Sequence, residues 1–369
     1  MSPEIFSNIS KIIERDSKST TYKFALLRGV IEIIQDNSPY ITFFENRVYI
    51  PTGLLVEKWL LYYYPLLQSK TLIPQINGTT DLAFATEFRS VIGYYESRGG
   101  LSAFYNDLKT KGIPEAIRAD FTALARKIRA TVVNMPMKYI GRSLSDEYYS
   151  IFEHKRQALT RSQHLDLERM ITDFGSFSIP ADYYEAFKIL GSFMSGQDSI
   201  LFKWAEFSVN ASGKHLSMER VLNEILDSPI TERNIAESKK LYRDILSKNG
   251  TVHCVWTGRK INTYDIDHVI PFSVWKNNDL WNLLPSDSKI NNQKRDKIPA
   301  PELIEKRKDL IVDYWQLIHE TQTARFRKEI QLALLGQNTF SGWEQQAISR
   351  LQNSCDYLIE GRGFERWML

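Results

Sequence analysis

Cysteine is scarce: the 369 residues hold two, Cys254 and Cys355, at widely separated positions. They form no Cys-x-x-Cys pair, which argues against a four-cysteine zinc site and a disulfide scaffold and fits a reducing compartment. The opening stretch MSPEIFSNISKIIERD lacks the charged-then-apolar layout of a leader. The most apolar run, Gly53 to Leu67, contains Glu57 and Lys58 and is too short to span a bilayer. These absences lead to the expectation of a soluble cytoplasmic protein with no membrane partner. Charge imbalance is also slight. Lys and Arg number 47 against 44 Asp and Glu, a net +3, which by itself points to no polyanion. Internal repeats and low-complexity tracts are missing. What remains is a chain with 43% hydrophobic and 25% charged residues, ordinary for a globular protein and long enough for two domains.

Helical spacing dominates the first 250 residues. Phe24, Leu27, Val30, Ile31 and Ile34 recur on one face of a helix that Ser19, Thr20 or Thr21 opens and that runs to about Gln35. The period then changes, and YITFFENRVYI over 40–50 predicts two short strands around a Glu45-Asn46-Arg47 turn. Pro51 and Thr52 open a Leu- and Tyr-rich helix, apolar all round and therefore a core helix, expected to end or kink near Pro65. Its Trp59, Tyr62, Tyr63 and Tyr64 read as core rather than as platforms for stacking bases. Further helices are expected at 80–97, 100–111 and 114–133. Residues 135–180 are irregular, 181–209 are helical with a break near Gly196, and two helices follow at 216–227 and 231–248. Asn249 or Gly250 ends the last of these, since either can take a left-handed C-cap. From Thr251 short β-rich pieces take over, then a polar helix from about Ser286, and after Pro299 and Pro301 long helices over 301–335 and 341–359.

The segment CVWTGRKINTYDIDHVIPFSVWKNNDLWNLLPSDSKINNQKRDKIP carries the chemistry. Asp265-Ile266-Asp267-His268 ends a strand, Asn282 lies in the following loop, and Asn291 lies nine positions later on a helix. Hydrolysing a phosphodiester requires deprotonating a water near neutral pH, the range where histidine works. It also requires positive charge on the crowded phosphorus and the leaving oxygen, which a hard divalent cation held by oxygen ligands supplies. Asp267, His268 and Asn291 are the needed side-chain types. Neighbouring strand residues face opposite ways, so Asp267 and His268 share a site only where the strand ends or bulges, and Pro271 fits an ending. Asn291, Lys294 and Arg295 stand at i, i+3 and i+4, which predicts a shared helix face aimed at a phosphate backbone. Between Lys289 and Lys308 seven Lys or Arg face three acids, a local excess of four that includes Lys289, Lys294, Arg295 and Lys297.

This segment resembles the HNH, or ββα-metal, endonuclease family, in the zinc-free form of RNA-guided CRISPR effector nucleases and bacterial defence nucleases. The resemblance rests on Cys254 to Arg259, on Asp265 to Pro271, and on the spacing to Asn282 and Asn291. It implies His268 as general base and Asp267 and Asn291 as ligands of Mg²⁺ or Mn²⁺. It further implies Asn282 as the residue holding the histidine and Lys294 near the cut phosphate. Asparagine replaces the family's last histidine at 291, a variation this subtype carries. The resemblance also implies products with a 5′ phosphate. The runs TTYKFALLRGVIEII and RVYIPTGLLVEKWLLYYYPLL look like the N-terminal part of stand-alone bacterial HNH proteins, some of them encoded beside anti-phage systems.

The expected fold is mainly α with a small α+β unit: a helical domain over 1–250, the ββα nuclease unit over 251–300, and C-terminal helices over 301–369. The expected function is metal-dependent endonuclease action on nucleic acid, above all double-stranded DNA. A lone site should nick. A protein partner such as an ATPase or sensor would dock on the helical part. The competing reading is a nucleic-acid-binding or docking module whose nuclease unit is inhibited or vestigial. Asn292 takes the ligand role if the helix register slips by one, and Asn282 is otherwise a turn residue. Lys294 and Arg295 are otherwise a solvated face, as are Arg118, Arg126, Lys127 and Arg129. His253 and Cys254 have no second ligand pair at zinc spacing.

Overall fold

The computed structural model describes residues 3–14, 18–78, 81–140, 150–154, 165–195, 200–230 and 233–369. The chain is mainly helical, with small sheets around 252–299 and helices after them. It divides into two compact units, Met1–Pro229 and Ile230–Leu369. Among the described residues no helix is long and apolar enough to cross a membrane.

The first unit begins with α1 (Pro3–Glu14) and α2 (Tyr22–Gln35). Strands β1 (Thr42–Phe44) and β2 (Arg47–Pro51) form the expected hairpin, turning through Glu45 at a positive φ of 51°. Helix α3 (Thr52–Gln68) does not stop at Pro65 but continues to Gln68. The proline removes one N–H, while Trp59, Tyr63 and Tyr64 on the same helix are fully buried, and that burial outweighs one lost bond. At Gly53 a Cβ would lie 2.2 Å from the Met170 carbonyl oxygen, so glycine is what lets α3 approach the backbone at Met170. The rest of the unit comprises α4 (Ala85–Glu96), α5 (Gly100–Asn106, prolonged by a wide turn to Lys111), α6 (Glu115–Asn134), α7 (Pro136–Tyr139), β3 (Glu153–His154), α8 (Leu167–Asp173), β4 (Ser176–Pro180), α9 (Ala181–Ser195), α10 (Ile200–Ala211) and α11 (Met218–Ile225). The sheet has the order β1-β2-β4-β3 and is antiparallel, with Arg47 opposite Pro180 and Pro51 opposite Ser176. The expected break near Gly196 lies outside the described residues, as do 141–149 and 155–164 of the stretch read as irregular.

The second unit opens with α12 (Ala236–Asn249), closed by Gly250 in the left-handed conformation. Then come β5 (Val252–His253), β6 (Lys260–Ile261), β7 (Asp265–His268), α13 (Phe272–Trp275), β8 (Leu283–Ser286), α14 (Ser288–Lys294) and β9 (Ile298–Pro299). After these follow α15 (Pro301–Thr321), α16 (Thr323–Ile330), α17 (Trp343–Asp356) and β10 (Arg366–Trp367). Strands β7 and β8 pair antiparallel, with His268 opposite Leu283 and Asp267 opposite Leu284. Their shared core contains Tyr242, Trp256, Trp281 and Trp315, all fully buried. Each of these aromatics has its polar atom satisfied. The Tyr242 hydroxyl donates to the Leu283 carbonyl at 3.1 Å, and Trp315 Nε1 donates to the Trp281 carbonyl at 2.8 Å. Helices on both sides of the ββα motif are thereby fastened to its strands.

Candidate active site

Strand β7 ends at His268, the first of the two ways an adjacent Asp-His pair can share a site, and both side chains are buried. Asp267 Oδ2 accepts from Trp256 Nε1 at 2.7 Å, and its Oδ1 faces Lys294 Nζ at 3.2 Å. Burial outweighs both partners and pushes the carboxyl above its ordinary range. Burial likewise holds the Lys294 ammonium below its usual value in spite of Asp267. Each member of this ion pair is less comfortable charged than it would be in water. His268 is also dominated by burial. With Arg233 and Lys294 nearby and against the favourable Asn278 hydrogen bond, its imidazole is pushed down to about 4. The ring is therefore neutral at pH 7 and carries one lone pair.

Asn282 is fully buried, and both ends of its amide bind one residue. Its Oδ1 accepts from the Ile270 N–H at 2.8 Å and its Nδ2 donates to the Ile270 carbonyl at 3.0 Å. The Val269 N–H also donates to the Asn282 carbonyl at 2.8 Å. Asn282 thus grips the backbone just after His268 and does not touch the ring.

Helix α14 is capped by Asp287, whose carboxylate accepts from the Lys289 and Ile290 N–H groups. The expected face of Asn291, Lys294 and Arg295 does not form. The helix ends at Lys294, and Arg295, at φ 52°, turns out of it into solvent. Lys294 points inward, fully buried, with Nζ 2.6 Å from the His268 carbonyl oxygen. Spacing alone assumed that the helix continued one residue further. Asn291 is half-buried and Asn292 exposed, and among the described residues the Asn291 amide has no hydrogen-bond partner. Lys289 is exposed, while Lys297 is half-buried and pairs with Glu365 at 2.5 Å.

Four further side chains support the pair. Arg233 Nε donates to His268 Nδ1 at 3.1 Å and its Nη2 donates to the Ile266 carbonyl at 3.2 Å. Asn278 Oδ1 lies 3.1 Å from His268 Nε2. Trp256 holds Asp267 and is itself met edge-on by Trp367, with ring centroids 5.2 Å apart. Glu329 accepts from the Leu280 N–H at 2.7 Å and so fixes the loop that carries Asn278 and Asn282. Trp256 and Asn278 lie inside the quoted segment, but Arg233, in the loop before α12, and Glu329, on α16, stand in sequence with no signal for such contacts.

HNH nucleases typically use a divalent metal ion. The residues here fit one in kind. Asp267 is a carboxylate whose burial its partners do not offset, so a further cation is welcome beside it. Asn291 offers a partnerless amide oxygen on α14, which packs against β7. Both are hard oxygen donors. Among the described residues no three His, Cys, Asp or Glu side chains gather as a metal site, so water would complete the coordination. Cys254 is buried with its sulfur 3.7 Å from Ser286 Oγ, in keeping with a core role.

A strand-ending Asp-His pair, a buried asparagine gripping the next turn of backbone and a following short helix define an HNH endonuclease domain, and residues 254–300 match the model of that family. It is a family of nucleases, which hydrolyse phosphodiesters, so the domain implies a nucleic-acid substrate. Residues 2–225 match the model of a domain of unknown function, DUF8808, and the chain belongs to that family. The chain is also distantly similar to the CRISPR-associated endonuclease Cas9 of Listeria innocua, 26% identical over 202 residues. That match covers 49% of this chain and 14% of the Listeria protein. No solved structure matches the chain.

Proposed function

We propose that the second unit is a Mg²⁺- or Mn²⁺-dependent endonuclease acting on double-stranded DNA, with His268 as general base and Asp267 and Asn291 as metal ligands. One observation carries this reading: a buried histidine adjoins a buried carboxylate at the end of the same strand, against which the short helix bearing Asn291 packs. A bound divalent ion would supply positive charge to the phosphate and the leaving oxygen. The chain's own residues do the rest. His268 takes the proton of the attacking water. Asn282 fixes the backbone that aims the ring, and Lys294 braces Asp267 and the His268 carbonyl. Lys289 and Arg295 lie exposed where a phosphate backbone could meet them, and Lys297 stands beside them. One such site cuts one strand, so a single chain nicks. Anti-phage defence is the setting we propose, with a partner such as an ATPase or sensor docking on the first unit.

Nicking of supercoiled plasmid with Mg²⁺, compared with His268→Ala, tests the proposal. No nicking by the wild-type chain under any divalent ion would overturn it. A second reading, an inhibited nuclease within a docking module, is favoured by one feature: both ring nitrogens of His268 are already engaged by side chains. Under that reading the isolated chain binds DNA and cuts it only after a partner is added.

A further inference from the structure

The hydrogen bonds around His268 assign its ring nitrogens. The Asn234 backbone N–H donates to Asn278 Oδ1 at 3.1 Å, which marks that atom as the amide oxygen. An amide oxygen only accepts, so His268 Nε2, 3.1 Å away, must be the N–H of the ring. A neutral imidazole has one N–H, which leaves the lone pair on Nδ1. Arg233 Nε–H donates into that lone pair at 3.1 Å, anchored by its second bond to the Ile266 carbonyl. The only ring atom able to receive a proton from water is therefore covered by a cation.

Among the described residues Arg233 forms no ion pair, and the carboxylate its charge acts on, Asp267, is already held by Trp256 and Lys294. Its two hydrogen bonds use two of the five donors of a guanidinium, and both acceptors are neutral. A guanidinium binds a phosphate through paired, charge-assisted hydrogen bonds roughly twice as strong as those to neutral acceptors. Arg233 lies outside the residues that match the HNH family, so the cap belongs to this chain's own helical surroundings.

Resting on His268 as the base, we propose that Arg233 caps the base nitrogen in the free protein and that a DNA phosphate draws it off, so that the substrate's own anion uncovers the lone pair. No bond is made or broken in this step. The guanidinium exchanges a neutral acceptor for an anionic one, and Nδ1 becomes open to water. Such a device keeps the site quiet until a phosphodiester is in place.

The test uses the full chain as wild type, Arg233→Ala and Arg233→Lys. Arg233→Ala loses the phosphate contact and the cap together. The KM for plasmid nicking should rise about tenfold while kcat stays within threefold or increases. Arg233→Lys keeps a cation without the paired donors, so its KM should lie between those of wild type and Arg233→Ala. A second readout needs no cleavage. With ¹⁵N-labelled histidine and a short DNA duplex in EDTA, the His268 Nδ1 resonance should move from hydrogen-bonded to free when DNA is added. In Arg233→Ala it should be free from the start. A kcat loss of tenfold or more with unchanged KM would show a plain structural support and overturn the cap, as would kinetics that the variants leave unaltered. An Nδ1 resonance indifferent to DNA would overturn it too. If the wild-type chain never nicks, the nuclease reading fails, and the resonance shift still decides the cap.

Discussion

Each unit of the molecule sets a carboxylate against cations, half-buried in the first and fully buried in the second, and the two clusters behave in opposite ways. In the first unit Arg28 donates to Glu32 at 2.8 Å, Lys58 lies 3.4 Å from the other Glu32 oxygen and also pairs with Asp36, and Arg28 rests on the Tyr62 ring. Burial acts against the Glu32 charge, yet Arg28 and Lys58 overcome it and push its carboxyl down to about 2. Arg28 and Lys58 are both held above their ordinary values. In the second unit the single pair Lys294–Asp267 is almost wholly out of solvent, at 0% and 3% side-chain exposure, and burial wins for both members. The first cluster has enough charges and enough water to settle itself. The second is a lone pair whose desolvation its partners do not offset.

The largest effect that would break this contrast is catalytic. His268→Ala should lower nicking by about 10²–10⁴, the usual worth of a general base, without lowering the unfolding temperature of either unit. Activity within threefold of wild type would take His268 out of the chemistry. Asp267→Asn should be similarly inactive, whereas Glu32→Gln should leave the nicking rate unchanged.

Stability should divide the units next. Glu32→Gln leaves Arg28 and Lys58 short of a buried counter-charge and should cost the first unit about 1–3 kcal/mol in denaturant titration. The double replacement Asp267→Asn with Lys294→Met removes a pair that burial already penalises. It should leave metal-free stability unchanged or higher, as replacing buried ion pairs often does. A large loss in the double variant would mean that the pair stabilises the fold after all.

Acid should then act on the units in opposite senses. Glu32, depressed to about 2, contributes stability that is present above its unfolded value near 4.5 and fades as pH falls towards 2. Glu329 is raised to about 7 by burial and by Asp279, against Arg325. Its contribution is full below about 4.5 and is lost as pH rises through 7. Hydrogen exchange read by segment on the intact chain should show α16 and the 277–282 loop loosening between pH 5 and 8 while α2 and α3 stay constant. Equal behaviour of the two segments would remove the distinction.

How much of the fold and site is legible in the sequence follows from how local each signal is. Asp267, His268, Asn282 and Asn291 stand within one fifty-residue stretch at fixed spacing, so the motif can be read directly. The β1–β2 hairpin and the core helix α3 are readable from periodicity for the same reason. Strand β4 is not, because SFSIP is five residues long and its partner β2 lies more than a hundred positions away. Nor are the grip of Arg233 on His268 and of Glu329 on Leu280, which depend on tertiary packing and follow no pattern in the chain. The inward turn of Lys294 and the outward turn of Arg295 hinge on where α14 stops, and that end is set by Arg295 at a positive φ of 52°, a conformation that spacing does not encode.

The smallest expected effect concerns the exposed cations at the end of that helix, and it sharpens the contrast between buried and solvated charge. Lys289 and Arg295 face solvent, and Arg295 Nε lies 3.3 Å from the Asn292 carbonyl oxygen. Such side chains can neutralise a DNA phosphate and release its counterion. Replacing either with alanine should then lower the slope of log binding constant against log salt by about one. Lys297 already pairs with Glu365, so Lys297→Ala gives up a cation that is partly neutralised and should lower the slope by less. Lys294 is buried on Asp267 and should leave the slope unaltered while cleavage falls. Binding of a short duplex at four salt concentrations, without divalent ion, measures all four variants side by side. Equal slopes for Lys289→Ala, Arg295→Ala and wild type would place the DNA on another face of the unit. A reduced slope for Lys294→Ala would mean that its ammonium reaches the phosphate on binding, and that the Asp267 pair opens to let it do so.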